Sequence, residues 1–592
     1  MKDLRIKISG TSGQGIISAG DILSYATARK GYYVTTYRAF PSEIRGDGKC
    51  YYTLRISEHQ ALTATGDTDI LVCLDETTIY EGLKELKEGG ILIYDCELVE
   101  TLREKREDIT IYPTPLKQLG GERGRNMAAL GIVVGLLKGL NLEEQILKDI
   151  ESRYKAKPQE VIDSNKTALN TGLKYALENI KRTDNYQKVE IKETGAKLIM
   201  SGNEAIGLGA LAAGCRFFSG YPITPATEIM EWMAKELPKF GGKMIQCEDE
   251  IAAINYALGA SFGGVKSMTA TSGPGFSLMQ EALGLASMAE LPVVVADVQR
   301  CGPSTGAPTK TEQSDLFAAM YGTHGDCPKI VLAPMNVADC FYQTINAFNF
   351  AEQYQMPVII LSDASLGPKR ECVDLIDFEK LNIIDRKKPE LKEGDIYNRY
   401  EDTKTGISPI SSVGDLYGEH VITGLEHTEG NAPTPAADVH RQMTEKRFRK
   451  LETATTHFSK AKTYGDENAS IGIISWGSTS GPVFEAIDKA AEKGIKVQAL
   501  YPRTLYPLPT EWIKGFVKNK DVVIVVEANY NAQFKSTIVE RCTHINRGTE
   551  VLEFLKYDGT PFLPEEILDE IEKVAKLQQE KDELSTNKHT HF

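Results

Sequence analysis

The chain has 592 residues, 41% hydrophobic and 25% charged, so it is too long for one hydrophobic core and too apolar to be disordered. A net charge of −14 without a basic run argues against a nucleic-acid partner, which would need Lys and Arg to neutralise phosphates. No stretch of about 18 apolar residues is present, so we expect no membrane span and no secretion signal. The ten scattered cysteines favour reduced thiols and a cytoplasmic location.

The first part of the sequence predicts an α/β domain at residues 1–185. A strand at 4–9 leads through GTSGQG into an amphipathic helix, and strands at 70–74 and 91–95 precede a helix at 126–140. In that turn, Gly10, Gly13 and Gly15 would present amide groups to a pyrophosphate, or would serve only for tight strand-to-helix packing. Their order, G-x-x-G-x-G, disfavours an NAD site.

The polar segment 182–193 is interpreted as a linker to a second α/β unit at 190–375. Its predicted elements alternate in a way that is typical of a parallel sheet: helix 203–215, strand 216–222, helix 226–237, helix 250–262, strand 266–272, helix 277–289 and strand 292–298. Charged, turn-rich residues at 376–465 predict an insertion or interdomain excursion. A third α/β domain is expected at 466–592, so the predicted fold class is multidomain α/β.

Three positions in the second unit carry candidate chemistry. Thr224 lies between two prolines that stiffen its loop, although Thr227 nearby could make this only a capped helix entry. Glu250 opens an Ala- and Gly-rich helix, where glutamate often only balances the helix dipole. Arg300 follows a strand of buried type, at the edge of an α/β sheet where ligands bind, and could hold a carboxylate or form an interdomain salt bridge.

Several motifs resemble the 2-oxoacid:ferredoxin oxidoreductases. YPITP, the Glu-x-Glu-x-Ala-Ala helix, TSGPG and DVQRxGPSTG follow one another as in the pyrimidine-binding domain of that family. GTSGQG with the later SEIRG is similar to the family's separate gamma unit, here fused ahead of the alpha unit. IISWGSTSGPVFEAI, YPRTLYPLP and VVEANYNAQF are similar to a transketolase-type carboxyl-terminal domain.

The resemblance implies roles for individual residues. Glu250 would hydrogen-bond the aminopyrimidine ring of thiamine diphosphate, Thr224 would lie beside the substrate and the thiazolium ring, and Arg300 would hold the substrate carboxylate. The remaining cofactor-binding candidates are Tyr221, Pro222, Ile223 and Ser272. The glycine loop and Arg45 would belong to the unit that gives coenzyme A access.

The resemblance also implies a partner. Closely spaced cluster cysteines are absent, and the G-D-G at 46–48 lacks the later asparagine of a magnesium-diphosphate motif, so we expect no metal ligand on this chain. A beta subunit would carry magnesium and a [4Fe-4S] cluster, pass electrons to ferredoxin and complete a dimer of alpha-beta heterodimers.

Substrate preference rests on GPSTGAPTKTEQSDL, GTHGDCP and the 376–465 region, which are similar to the 2-oxoglutarate and branched-chain members. We expect coenzyme A-dependent decarboxylation of 2-oxoglutarate to succinyl-CoA, or the reverse. Lys310 or His324 could bind the second carboxylate, or either could be a solvated loop residue. The alternatives are a branched-chain or other 2-oxoacid enzyme and a non-catalytic nucleotide-binding scaffold.

Overall fold

A computed structural model describes residues 3–41, 48–99, 101–103, 106–186, 191–195, 197–542 and 548–589. Within these ranges, none of the helices combines the length and the hydrophobicity that a membrane crossing requires.

The strands of the described residues are β1 (Asp3–Thr11), β2 (Tyr33–Ala39), β3 (Lys49–Ser57), β4 (Thr68–Cys73), β5 (Leu86–Asp95), β6 (Thr110–Thr114), β7 (Leu198–Ser201), β8 (Phe217–Gly220), β9 (Lys243–Gln246), β10 (Ser267–Thr271), β11 (Val293–Gln299), β12 (Ile330–Leu332), β13 (Pro357–Asp363), β14 (Arg370–Val373), β15 (Lys462–Gly465), β16 (Ile471–Ser475), β17 (Val497–Tyr501), β18 (Thr504–Tyr506), β19 (Val522–Glu527) and β20 (Glu550–Leu555).

The helices are α1 (Ile16–Arg29), α2 (Glu76–Leu83), α3 (Leu116–Leu136), α4 (Glu143–Tyr154), α5 (Gln159–Asn179), α6 (Gly202–Ala212), α7 (Thr227–Glu236), α8 (Glu250–Phe262), α9 (Gly273–Leu278), α10 (Gln280–Met288), α11 (Leu316–Tyr321), α12 (Val337–Tyr354), α13 (Ala437–Thr455), α14 (Ser480–Glu492), α15 (Thr510–Val517), α16 (Gln533–Arg541) and α17 (Pro564–His589).

Unit 1 comprises residues 1–201 and 369–376 and contains one sheet in the order β6-β5-β4-β1-β3-β2-β14-β7. The predicted strands at 4–9, 70–74 and 91–95 correspond to β1, β4 and β5, which pair in parallel. The sequence analysis missed β2 and β3, which pair antiparallel with each other and with β1. The sheet is therefore mixed, and its β1 face packs against helices α1 and α3.

Unit 2 comprises residues 202–368 and 377–592 and contains two sheets. One has the order β18-β12-β13-β11-β10-β8-β9, and its strands from β12 to β9 run parallel, which agrees with the predicted parallel α/β unit. The other has the order β15-β17-β16-β19-β20. The predicted helix at 277–289 is divided into α9 and α10 at Met279. The predicted α/β class is confirmed.

Strand β18 belongs in sequence to the carboxyl-terminal region, yet it pairs antiparallel with β12. One hydrophobic core also joins Ile254 of α8 with Trp476 and Phe534 of the last sheet's region. The compact units join residues that the predicted domain ranges separate. The structure therefore does not test those ranges, which stay a prediction: 1–185, 190–375, 376–465 and 466–592.

Residues 376–436, expected as an excursion, are mostly irregular but contribute to the interior of unit 2. Tyr400 and Ile410 are fully buried, and Ile410 belongs to the same core as Trp476. Arg399 is buried as well and donates to the main-chain oxygen of Glu290 at 2.8 Å. The charged, turn-rich composition of 376–465 predicted an insertion or interdomain excursion, because composition does not reveal these long-range contacts.

Candidate active site

The carboxyl ends of parallel strands β8, β10, β11 and β13 lie at one edge of the larger sheet of unit 2. Each of the first three strands leads directly into one of the motifs found in the sequence. The YPITP loop follows β8, the Gly-Pro-Gly turn follows β10 and Arg300 follows β11. In open α/β sheets this edge is where ligands bind, and the sequence-predicted residues are gathered there.

Glu250 is the first residue of α8 and is buried, with 5% of its surface exposed. The helix is capped by Asp249, whose side chain accepts a hydrogen bond from the amide of Ala252 at 2.7 Å. Burial raises the pKa of the Glu250 carboxyl, Asp249 adds to the rise and Arg300 opposes it. An exposed glutamate could balance the helix dipole without the cost of burying a carboxyl group. The burial of Glu250 therefore favours a chemical role.

Arg300 is also buried and joins two strand ends. Its Nη1 donates to the main-chain oxygen of Thr224 at 2.7 Å, while its Nε is buried and has no hydrogen-bond partner among the described residues. Tyr221, Pro222 and Thr224 are exposed, and Ile223 is half-buried. The loop after β8 therefore offers an open surface above a buried guanidinium with spare donor capacity.

The turn between β10 and α9 brings its backbone close to the Glu250 side chain. Gly275 is buried, and a Cβ added there would overlap the Glu250 carboxylate and the hydroxyl of Thr271. Ser272 is fully buried and its hydroxyl has no hydrogen-bond partner among the described residues. The missing side chain at Gly275 leaves room for the Glu250 carboxylate itself. The protonatable carboxyl and the Ser272 hydroxyl then suit the polar edge of an aminopyrimidine ring.

Two carboxyl groups in this region were not predicted from the sequence. Asp297 lies on β11 and is fully buried, and Asp315 precedes α11 with its Oδ2 buried. The signal for Asp297 was available, because a carboxylate inside the apolar run PVVVADV is rare without a partner. Asp315 could not be found in this way, since TEQSDL reads as a polar loop.

The loop that carries Asp315 is tied to the smaller sheet of unit 2 by Gln313. Its side chain donates to the main-chain oxygen of Trp476 at 2.9 Å and accepts from the amide of Ala528 at 3.0 Å. Its main-chain oxygen accepts from Asn529 Nδ2 at 3.1 Å. These bonds fix the segment between Arg300 and α11.

The two candidates for a second substrate carboxylate lie in different places. Lys310 is half-buried, and its main-chain oxygen accepts from the amide of Cys301 at 2.9 Å, next to Arg300. His324 is exposed and lines a cavity of about 340 Å³ together with residues of α10 and α13. No described contact joins either side chain to Arg300. Only the main chain of Lys310 is bonded next to it, and the Lys310 side chain packs against Gly559.

In unit 1, the glycine loop adopts the turn that its sequence indicates. Gly10 belongs to β1, Gly13 has φ +89°, and Gly15 caps α1 with φ +74°. A Cβ on Gly15 would overlap the amide of Asn126, whose Nδ2 donates to the Gly15 oxygen at 3.1 Å. Packing therefore accounts for at least one of these glycines. Arg45 lies outside the described residues.

Three family models match the chain in succession. Residues 5–175 match "Pyruvate ferredoxin/flavodoxin oxidoreductase", and residues 208–446 match "Pyruvate flavodoxin/ferredoxin oxidoreductase, thiamine diP-bdg". Residues 469–567 match "Pyruvate:ferredoxin oxidoreductase core domain II". Their order agrees with an amino-terminal unit fused ahead of a thiamine diphosphate-binding domain.

Relatives align along nearly the whole chain. A 2-oxoacid:ferredoxin oxidoreductase subunit alpha of Saccharolobus solfataricus is 32% identical, over 96% of this chain and 97% of its own. A 2-oxoglutarate synthase subunit KorA of Methanocaldococcus jannaschii is 43% identical, over 62% of this chain and 97% of its own.

Among solved structures, a 2-oxoglutarate:ferredoxin oxidoreductase from Magnetococcus marinus, with 2-oxoglutarate, coenzyme A and succinyl-CoA bound, is 38% identical. The match has a TM-score of 0.90 and covers 97% of this chain and 99% of the other. Identity of this extent, three family models in order and the motifs at the sheet edge agree with one another. The chain therefore belongs to the 2-oxoacid:ferredoxin oxidoreductase family, as an alpha subunit with a fused amino-terminal unit.

Proposed function

We propose that this chain is the alpha subunit of a 2-oxoglutarate:ferredoxin oxidoreductase. The enzyme would convert 2-oxoglutarate and coenzyme A to succinyl-CoA and carbon dioxide while reducing ferredoxin, or catalyse the reverse carboxylation. The observation that carries this proposal is the burial of Glu250 and Arg300 at one sheet edge, with Arg300 bonded to Thr224. Such a pair supplies a protonatable carboxyl and an anion-binding cation within one pocket.

Thiamine diphosphate is the cofactor that this pocket fits. When bound, it supplies the nucleophilic carbon and the electron sink for decarboxylation. Glu250 would hold a proton at the aminopyrimidine ring, since burial favours its neutral form. Ser272 would offer its hydroxyl to the ring edge, Gly275 would leave room for the Glu250 carboxylate beside it, and the loop from Tyr221 to Thr224 would cover the ring.

Arg300 would bind the carboxylate next to the 2-oxo group. Its Nε, which has no partner among the residues described, and its guanidinium geometry permit a bidentate contact, while the bond to Thr224 keeps the side chain in place. The hydroxyl of Thr224 would then face the substrate. A charge-assisted contact of this kind contributes about 1.5 to 3 kcal/mol.

The preference for 2-oxoglutarate is supported by the names of the M. jannaschii and M. marinus relatives. Lys310 would bind the distal carboxylate, because its backbone is paired with the residue that follows Arg300. A branched-chain 2-oxoacid would need no cation there. We therefore expect Lys310→Met to weaken 2-oxoglutarate use more than the use of a branched-chain 2-oxoacid.

A beta subunit would supply magnesium, the cofactor's diphosphate site and a [4Fe-4S] cluster, and would reduce ferredoxin. The outer face of α8 supports such a partner, because Ile251 and Tyr256 are about half exposed and no charged residue follows Glu250 in this helix. We expect Tyr256→Lys to weaken assembly, measured by co-purification. The isolated chain should be colourless and inactive, and its assembled form a dimer of alpha-beta heterodimers.

Coenzyme A would contact unit 1 at the glycine loop before α1, with Gly10, Gly13, Gly15 and Arg45 as candidates. Positive φ at Gly13 and Gly15 supports this part of the proposal, since it turns amide groups towards a helix start. The ten free cysteines support a cytoplasmic enzyme.

The direct test is to purify the native complex and measure turnover of a panel of 2-oxoacids with coenzyme A and a low-potential dye. The proposal predicts that 2-oxoglutarate gives the highest kcat/KM and that succinyl-CoA forms. A preference for pyruvate or a branched-chain 2-oxoacid would overturn the substrate, and no turnover with any 2-oxoacid would overturn the function.

A further inference from the structure

Two carboxyl groups on the segments before and after Arg300 have no role in the proposed function: Asp297 is fully buried, and Asp315 is half-buried with its Oδ2 inaccessible. In the described part of the chain, the two carboxyl oxygens of Asp297 have no hydrogen-bond partner. The Oδ2 of Asp315 has none either. Buried ionised carboxylates are strongly disfavoured unless they are paired. We therefore expect the carboxyl groups of Asp297 and Asp315, on the segments around Arg300, to hold a proton under some conditions.

The backbone fixes Asp315 against β11. Asp297 and Gln299 lie two residues apart on β11, so their side chains are on the same face of the sheet. The Gln299 side chain accepts a hydrogen bond from the amide of Asp315 at 3.1 Å. On its other side, the Asp315 carboxylate lies against Gly273, where an added Cβ would be 2.9 Å from Oδ2.

Glu312 and Arg300 act on the Asp315 carboxyl, Asp315 acts on Asp297, and Glu250 on α8 acts on Arg300. Burial raises the pKa of Asp315 to about 7, Glu312 adds to the rise and Arg300 opposes it. Burial and then Asp315 raise the pKa of Asp297 well above its ordinary range, so its surroundings favour the neutral form. Asp315 is the member of the pair whose charge can change near neutral pH.

We propose that Asp315, supported by Asp297, is a positioning residue that balances the charge of Arg300. In the free enzyme an ionised Asp315 faces Arg300, and binding of the substrate carboxylate to Arg300 is accompanied by uptake of one proton from solvent onto the Asp315 carboxylate. When carbon dioxide leaves as a neutral molecule, the electron pair of the broken bond stays on the remaining fragment, no carboxylate is left at Arg300 and the proton can return to solvent. This inference rests on the proposed role of Arg300.

The consequence is a substrate affinity that falls as the solution becomes alkaline. If the substrate carboxylate binds only when Asp315 is neutral, KM is multiplied by a pH-dependent factor. This factor equals one plus the ratio of ionised to neutral Asp315. With a midpoint near pH 7, this factor rises about fivefold between pH 7 and pH 8 and changes little below pH 6.

The test is to measure KM and kcat of the reconstituted complex for its best 2-oxoacid between pH 6 and pH 8.5. Asp315→Asn should reduce the rise in KM to less than about twofold, because it cannot ionise. Glu312→Gln should move the rise to lower pH, because it removes a charge that raises the Asp315 pKa. Asp569→Asn, an exposed change on α17, should leave the profile unchanged.

A wild-type KM that does not change with pH, or an Asp315→Asn variant with the wild-type slope, would overturn the inference. If Asp315→Asn does not fold, the pH at which KM rises in Glu312→Gln tests the inference instead. A rise at the wild-type pH or at a more alkaline pH counts against the role of Asp315. Failure of the proposed function gives a different result, since the wild-type complex would then turn over no 2-oxoacid at any pH.

Discussion

Arg300 donates a hydrogen bond of 2.7 Å to the main-chain oxygen of Thr224, and so links the end of β11 to the loop after β8. The two residues are 76 positions apart in sequence, yet each lies just beyond the carboxyl end of a strand. The bond ties the guanidinium to the edge that also carries Glu250, while Nε has no hydrogen-bond partner within the part of the chain that the structure describes.

Replacing Arg300 tests its contact with the substrate carboxylate. We expect Arg300→Ala to lower kcat/KM for 2-oxoacids by about 10- to 100-fold, mainly through KM, because a charge-assisted contact is lost. Arg300→Lys should recover only part of the loss, since an ammonium group lacks the bidentate geometry. The exposed Arg541→Ala provides the control, and equal KM values for the wild type and Arg300→Ala would exclude the carboxylate role.

A methyl group at Gly275 tests the close approach of the turn to Glu250. Gly275→Ala places a Cβ against the Glu250 carboxylate and Thr271, so it should displace the carboxylate and lower turnover by about 100-fold. Gly284→Ala on α10 is the matched control, because no atom lies within 4 Å of the added Cβ. Similar turnover in both variants would show that the position of Glu250 is not limiting.

The buried ion cluster of Glu290, Lys446 and Lys450 allows the effect of a substitution on stability to be predicted. Glu290 accepts from Lys446 at 2.8 Å and lies 2.9 Å from Lys450, and all three side chains are almost fully buried. Glu290→Gln leaves two buried ammonium groups without a counter-ion and should lower the free energy of unfolding by about 3 to 5 kcal/mol.

Chemical denaturation followed by circular dichroism would measure this loss in stability. The control is Glu511→Gln, which removes an exposed surface pair with Lys514 and should leave the denaturation midpoint unchanged. A Glu290→Gln midpoint equal to that of the wild type would mean that the lysines lose their protons or reach solvent.

Local patterns in the sequence were sufficient for the elements that bear the motifs. Thr224, Glu250 and Arg300 could be proposed because each follows a recognisable strand or opens a recognisable helix. The pairing of β18 with β12 could not be predicted, since it joins residues about 170 positions apart through main-chain bonds that leave no side-chain pattern. Burial of Tyr400 within a polar segment was missed for the same reason.

Asp315 illustrates a second limit of prediction from sequence. Its surroundings come from Gln299 and Arg300 at the end of β11 and from Gly273 after β10, so two separate strand ends contribute them. A loop sequence such as TEQSDL does not indicate which sheet edge it will meet, so a buried carboxyl there is visible only in the folded chain.

The turnover of Glu250→Gln in the reconstituted complex tests the central claim most directly, with Glu248→Gln, two residues earlier and exposed, as the matched control. If Glu250 holds a proton at the aminopyrimidine ring, its replacement lowers kcat by about 10² to 10⁴ while Glu248→Gln keeps wild-type turnover. Near-normal kcat in the Glu250→Gln complex would contradict the assignment of the active site to this sheet edge.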